Sequence, residues 1–128
     1  MSKIFIVNVG VNTSHGNLKS PIFDDKTFIY VPIPEMSEYQ ENDRLLSYFD
    51  IFTTKELQFI PKKYHQTKVH YDPEFITYTY GDYPAFKPRV ANLKYAHEGD
   101  YIFFLARLVE WSDGSFTDKA GFYLIGYL

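Results

Sequence analysis

Apolar runs of strand length alternate with polar breaks along much of the chain. The run Ile4–Val9 is β-branched and apolar on both faces, which predicts a strand buried at the centre of a sheet. Residues 101–109 form the strongest such run and predict a second central strand. Asp113-Gly114 is a typical hairpin signal, so residues 120–128 are predicted to return beside that strand.

Weaker patterns supply the remaining predicted elements. Residues 28–34 and 74–80 indicate two further strands, the first confined to an edge because Pro32 and Pro34 lack N–H donors. Short helices are predicted over 43–49 and 88–96, and residues 55–69 are predicted to be loop and irregular structure. Together these patterns predict a single α+β domain over residues 1–128. It has a curved, mainly antiparallel sheet, or a small barrel, and two short helices. The centre of the sheet is predicted to include residues 4–9, 101–109 and 121–127.

Composition narrows the class of protein. The chain has 128 residues, of which 45% are apolar and 20% aromatic, and this excludes a disordered chain. The excess of aromatic rings indicates a core of large side chains or a site that they line. The chain has no cysteine, which excludes disulfides, thiolate metal sites and a cysteine nucleophile.

Charge and hydropathy narrow the possible partners. The net charge is −3 and like charges form no block, so broad, salt-driven binding to nucleic acid is not expected. A pocket for one nucleotide or base remains compatible with this balance. No apolar run approaches the ~20 residues of a membrane span, and we see no signal peptide. The expected location is therefore the cytoplasm, with no membrane partner.

The first candidate site is the loop that follows the strand Ile4–Val9. Asn12, Ser14 and His15 place an amide, a hydroxyl and an imidazole in one short segment between two glycines. Such groups suit hydrogen bonding to a base, a sugar or a carboxylate. The alternative is a turn whose polar side chains cap its own backbone.

The second candidate begins at His70. In an extended chain His70, Asp72 and Glu74 point to one face, where they could hold a divalent cation or act as an acid and a base. A solvated entrance to a strand is the alternative.

Tyrosines and one arginine make up the remaining candidates. Tyr78 and Tyr80 share a strand face and could stack on a base, although ordinary strand packing explains them too. Asp82 follows Gly81 and is either a turn residue or a site carboxylate. Arg107 lies inside an apolar strand, so it needs a carboxylate partner or a phosphate.

Several long motifs resemble the nucleotide modification associated domain 3 family. They cover nearly the whole chain, with little added by residues 39–67. They are the segment from Lys3 to Gly16, then Ser20-Pro21-Ile22-Phe23, Val31-Pro32-Ile33-Pro34-Glu35, Asp72-Pro73-Glu74-Phe75, Thr77-Tyr78-Thr79-Tyr80-Gly81-Asp82, Gly99-Asp100, Phe103-Phe104-Leu105-Ala106-Arg107-Leu108 and residues 120–127.

The resemblance implies a setting rather than a reaction. The family is linked, mainly through genomic context, with hypermodification of DNA bases in bacteria and phages. The site positions that it implies are Asn12, Ser14, His15, Ser20, Glu35, Asp72, Glu74, Tyr80 and Asp82. Family members extend past the position that matches Leu128, so the chain is expected to be a truncated or compact member.

The last third is also similar to PUA-like modules such as the EVE and ASCH domains. In those modules a cleft of a small barrel binds a modified base. The similarity is at the level of fold and implies a possible reader of modified bases.

The sequence leaves three hypotheses for the function, and the third of them is a structural protein. The first is a protein of nucleotide or DNA-base modification that binds or acts on a nucleotide, with His15, Asp72, Glu74 and Asp82 as catalytic candidates. The second is a non-catalytic module that recognises a modified base or nucleotide. The residues expected to contact substrate are Asn12, Ser14, Ser20, Glu35, Tyr78, Tyr80 and Arg107. The metal, the cofactor and the question of catalysis stay open. A homodimer is expected, because the apolar last strand could pair with a second copy.

Overall fold

A mixed sheet built around one long strand organises the computed structural model, which describes residues 2–71 and 95–128. The central strand is β5 (Tyr101–Ser112), which pairs in parallel with β1 (Ile4–Val9) and with β2 (Ser20–Ile22). The antiparallel partner of β5 is β6 (Ser115–Tyr127). Because β6 pairs with the same stretch of β5 as β1 and β2 do, those two strands share the opposite edge of β5.

The sheet corrects one part of the predicted fold class. The class α+β is confirmed, but the mainly antiparallel sheet is wrong, because β1 and β2 both run parallel to β5. A separate two-stranded antiparallel sheet joins β3 (Ile33–Pro34) to β4 (Val69–His70). Within the described ranges the strands do not close into a barrel.

The hairpin between β5 and β6 is confirmed. Asp113 and Gly114 both have positive φ, 54° and 81°, as a type I′ turn requires. The ladder is irregular at two places, between Phe104 and Leu105 and between Val109 and Trp111. The second irregularity shifts the register of β6 by two residues and has consequences for the candidate site.

The expectation that β1 is buried on both faces is wrong. Val7 and Val9 are buried, but Ile4 and Ile6 are 61% and 64% exposed, and the described strand that pairs with β1 is β5 alone. β1 is therefore a one-sided strand, while β5 is central as predicted. The outer face of the sheet continues across β5 and β6 with further exposed apolar side chains: Tyr101, Phe122, Leu124 and Tyr127.

The helices are displaced from their predicted positions. Residues 43–49 were expected to be helical, but α1 spans Tyr48–Ile51 and α2 spans Thr54–Leu57. Ser47 and Thr53 each begin a helix through a capping box with the acidic residue three positions later, Asp50 and Glu56. Those serine and threonine spacings were the sequence signal for the true helix starts.

Several predicted segments change in extent. The strand expected over 28–34 is reduced to β3, and Phe28 forms only an isolated bridge to Ile22. The segment 55–69, expected to be irregular, contains the end of α2, a 3₁₀ turn at Lys62–Tyr64 and the start of β4. The predicted strand 74–80 and all but the last two residues of the predicted helix 88–96 lie outside the described residues. No helix within the described ranges is long and apolar enough to span a membrane.

Tyr48 is the largest side chain buried in the main apolar cluster. Its ring is fully buried among Val11, Leu18, Val31 and Val69, and its hydroxyl donates a 2.6 Å hydrogen bond to the carbonyl oxygen of Pro32. Burial raises the pKa of the Tyr48 phenol above its ordinary value, because the phenolate would lose its hydration. Tyr48 thus fastens α1 to the segment that precedes β3.

Replacing Tyr48 by Phe tests this contact. The change leaves the buried Pro32 carbonyl without its donor, so we expect the free energy of unfolding to fall by about 1–3 kcal/mol. Urea unfolding measures the loss, and Tyr39→Phe at a 46% exposed ring is the matched control. Equal stabilities of Tyr48→Phe and wild type would contradict the assigned contact.

Asp100 joins the residues that immediately precede β1 and β5. Its carboxylate accepts the backbone N–H of Lys3 at 2.8 Å and that of His97 at 2.9 Å. These two hydrogen bonds, that of Lys3 first, hold the pKa of Asp100 below its ordinary value. The ionised form therefore stabilises the folded chain.

The lowered pKa of Asp100 predicts how the stability of the Asp100→Asn variant, relative to wild type, depends on pH. A carboxylate with a lowered folded pKa stabilises above its unfolded pKa, and the effect is lost as the pH falls through the folded pKa. We expect the variant to melt below wild type at neutral pH, and the gap to close on acidification below roughly pH 4. Paired thermal melts across this range check the trend, and a gap that widens in acid would refute it.

Candidate functional site

Arg107 lies on β5 between the stretch that pairs with β1 and the stretch that pairs with β2. The last pair between β1 and β5 is Val9–Ala106, and the first pair between β2 and β5 is Ser20–Leu108. Arg107 therefore faces the gap where the chain leaves the sheet after β1 and returns at β2. On the opposite edge of β5, Phe122 of β6 is its direct partner.

A cleft of about 400 Å³ opens at this gap. The end of β1 and the loop after it form one wall, and Arg107 and Phe122 form the other. The lining residues are Asn8, Val9, Gly10, Val11, Asn12, Thr13, Arg107 and Phe122. We call this space the Arg107 cleft. The structure thus brings together Asn12 and Arg107, which the sequence had indicated separately.

Gly10 makes the sharp exit from β1 possible. Its φ is +78°, and a Cβ at this position would lie 2.8 Å from the ring of Tyr30 and 3.2 Å from the carbonyl oxygen of Val31. The N–H of Val11 then donates to that same carbonyl at 3.0 Å, which fixes the start of the loop. Only glycine combines this backbone conformation with such close packing.

Asn12 and His15 hold the loop as a 3₁₀ turn at Thr13–His15. The Asn12 side-chain oxygen accepts the N–H of Ser14 at 2.8 Å and its hydroxyl at 2.6 Å. His15 Nδ1 accepts the N–H of Asn12 at 2.9 Å, so this nitrogen carries no proton and the neutral ring carries its proton on Nε2. These contacts stabilise the turn itself.

The other described candidates lie in different surroundings. Ser20 is buried, and its hydroxyl accepts the N–H of Val31 at 3.0 Å. Glu35 lies 3.1 Å from His70 Nδ1, in a pair that extends the β3–β4 sheet. None of Ser14, His15, Ser20 or Glu35 lines the Arg107 cleft.

Five candidates lie outside the described residues: Asp72, Glu74, Tyr78, Tyr80 and Asp82. Of the four catalytic candidates, the described residues therefore contain His15 alone. Within residues 2–71 and 95–128, no group of three or more His, Asp or Glu side chains could hold a metal ion.

Asn8, Thr13 and Phe122 line the cleft but were not predicted as site residues. Thr13 lies within the polar loop that was a candidate as a whole. Asn8 had a signal, because it interrupts the apolar run of β1. Phe122 had none. The turn pairing Ser112–Ser115 predicts Ala120 opposite Arg107 in a regular ladder, and only the two-residue register shift near Trp111 brings Phe122 there.

Comparison with known protein families identifies the family of the chain. A family model described as nucleotide modification associated domain 3 matches residues 3–128. The chain belongs to this family. Membership confirms the resemblance seen in the sequence and associates the chain with nucleotide modification. Searches of curated proteins and of solved structures gave no significant match.

A pair of His15 variants separates a capping role from imidazole chemistry. His15→Ala removes the acceptor for the Asn12 N–H, so we expect a lower melting temperature and faster hydrogen exchange of that amide. His15→Gln supplies an acceptor of the type common at this position of a capping box, so it should restore much of the protection. Unchanged exchange in His15→Ala would show that the side chain does not cap the turn.

Proposed function

We propose that the Arg107 cleft binds a nucleotide, and that recognition of this nucleotide is the role of the chain in nucleotide modification. Membership in a nucleotide modification family supplies the setting, and the side chains of the cleft supply the chemistry. The observation that carries the proposal is an arginine that has no partner among the described residues, in a cleft that also holds an aromatic ring.

Arg107 is the anion-binding group of the proposal. It is half-buried, and within the described ranges no ion pair or hydrogen bond engages its guanidinium. Placing a permanent charge on a central strand costs hydration unless an anion or solvent compensates. A phosphate suits this position, because the guanidinium can donate two parallel hydrogen bonds to its oxygens.

Phe122 supplies a surface for a base. Its ring is 58% exposed and lies beside Arg107 across the ladder. An exposed ring next to a cationic group is a common arrangement for stacking a nucleobase while its phosphate is held nearby. A volume of about 400 Å³ lies within the usual range for small-ligand sites.

Asn8, Asn12 and Thr13 add hydrogen-bonding groups at the rim. The side-chain oxygen of Asn12 is already engaged by Ser14, which leaves its NH₂ group as a donor toward a ligand. The described lining contains no carboxylate and no histidine. Its chemistry therefore favours recognition of the ligand over acid–base catalysis. This agrees with the hypothesis of a non-catalytic module that recognises a modified base or nucleotide.

Arg107→Gln tests the anion contact. Calorimetric titration with the four deoxynucleoside monophosphates should show at least a tenfold loss of affinity, since a hydrogen bond to a charged group contributes about 1.5–3 kcal/mol. Arg44→Gln removes the same charge at an exposed position outside the cleft and should bind like wild type. Equal losses in both variants would mean that only the overall charge matters, and the proposal would fail.

Phe122→Leu tests the stacking surface. Loss of the ring should weaken nucleotide binding by about 1–3 kcal/mol and leave binding of inorganic phosphate unchanged. Phe49→Leu is the matched control, because Phe49 is 56% exposed and lies outside the cleft. If Phe122→Leu binds every nucleotide as tightly as wild type, the base does not rest on this ring.

A further inference from the structure

A second cleft, of about 570 Å³, lies at the other end of the loop that forms the Arg107 cleft. Asn17 and Lys19 line it from the end of this loop, and residues 57–62 line it from the last residue of α2 and the segment that follows. His65 and Phe116 complete the wall. We call this space the basic cleft.

The charges of the basic cleft have one sign. Lys19 and Lys62 line it, and no Asp or Glu does, although the chain as a whole carries a net charge of −3. In the part of the chain that the structure describes, neither lysine forms an ion pair. Lys19 Nζ instead lies 5.4 Å from the centre of the Phe116 ring, in a cation–π contact that places the ammonium beside the aromatic wall.

The aromatic wall is held in place by its neighbours. Phe59 and Phe116 both line the cleft, and both pack edge to face on Trp111, with ring centroids 4.9 Å and 4.8 Å apart. His65 Nε2 lies 2.9 Å from the carbonyl oxygen of Ile60 and fixes the adjoining backbone. The cleft therefore has a formed apolar surface beside two cationic groups.

We infer that the basic cleft binds a phosphate ester, with the phosphate on Lys19 and Lys62 and the esterified group against Phe59 and Phe116. A lysine pair binds phosphate as point charges, and the aromatic wall accepts a ring. The amides of Asn17 and Gln58 add hydrogen-bonding groups. A free mononucleotide and the backbone of an oligonucleotide both present this chemistry.

The fluorescence of Trp111 can report ligand binding in the basic cleft. It is the only tryptophan of the chain, and its ring contacts the rings of both Phe59 and Phe116. Among the described residues no ring contact links Trp111 to the Arg107 cleft: the ring of that cleft, Phe122, stands opposite Arg107, which lies four positions from Trp111 along β5, roughly 13 Å away. Fluorescence of Trp111 thus reports the basic cleft, and calorimetry reports both clefts.

The experiment titrates the full chain with inorganic phosphate, thymidine monophosphate and a short single-stranded oligothymidylate while Trp111 fluorescence is recorded. We expect a saturable change with an ester, weakened at least tenfold in Lys19→Gln/Lys62→Gln and further weakened by salt. Lys55→Gln/Lys119→Gln removes the same charge outside the cleft and should respond like wild type. A response to the mononucleotide identifies a free nucleotide as sufficient, and a response to the oligonucleotide alone identifies the strand.

Three results would overturn the inference. They are no change in Trp111 with any probe, a change with inorganic phosphate alone, and equal responses in the two lysine double variants. Arg107→Gln separates this inference from the proposed function, because that variant should keep the full Trp111 response even if binding in the Arg107 cleft is lost.

Discussion

The backbone hydrogen bonds along both edges of β5 are the constraint on which the sheet depends. One edge carries β1 and then β2, and the other carries β6 along nearly its whole length. A strand with partners on both sides has its N–H and C=O groups satisfied without water, so its side chains can be apolar. The side chains of Phe104, Ala106 and Leu108 accordingly lie in the core.

The Arg107 cleft is a consequence of how two short strands share one edge. β1 ends opposite Ala106 and β2 begins opposite Leu108, so the loop between them must leave and rejoin the sheet at Arg107. Gly10 allows the exit, and the buried hydroxyl of Ser20 holds the return by accepting the N–H of Val31. The polar loop is thereby presented between two clefts, one at each of its ends.

Local patterns in the sequence were sufficient for elements that depend on local chemistry. β5 and its hairpin follow from a long apolar run and the Asp113-Gly114 turn, and both were predicted. β2 was not predicted, because Ser20-Pro21-Ile22 is too short to show a strand pattern and its main partner, β5, lies far along the chain. The exposed face of β1 escaped prediction for a related reason: periodicity does not reveal which strands lack a covering layer.

The candidate site was predictable in two of its residues but not in its arrangement. Asn12 and Arg107 each stood out, one in a polar loop and one as a charge within an apolar strand. Their proximity depends on the parallel register between β1 and β5, which neither segment encodes alone. The pairing of Glu35 with His70 is likewise a product of the β3–β4 sheet.

The irregularity of the hairpin near Trp111 also determines which side chain of β6 stands beside Arg107. Because side chains alternate between faces, moving β6 by two residues keeps every side chain on its own face but changes which one stands beside Arg107. Extending or removing the irregularity would exchange Phe122 for Leu124 or Ala120 while the core side of the sheet stays intact. With the irregularity kept at its present size, a two-residue insertion at residues 117–119 would bring Ala120 beside Arg107, and a two-residue deletion there would bring Leu124.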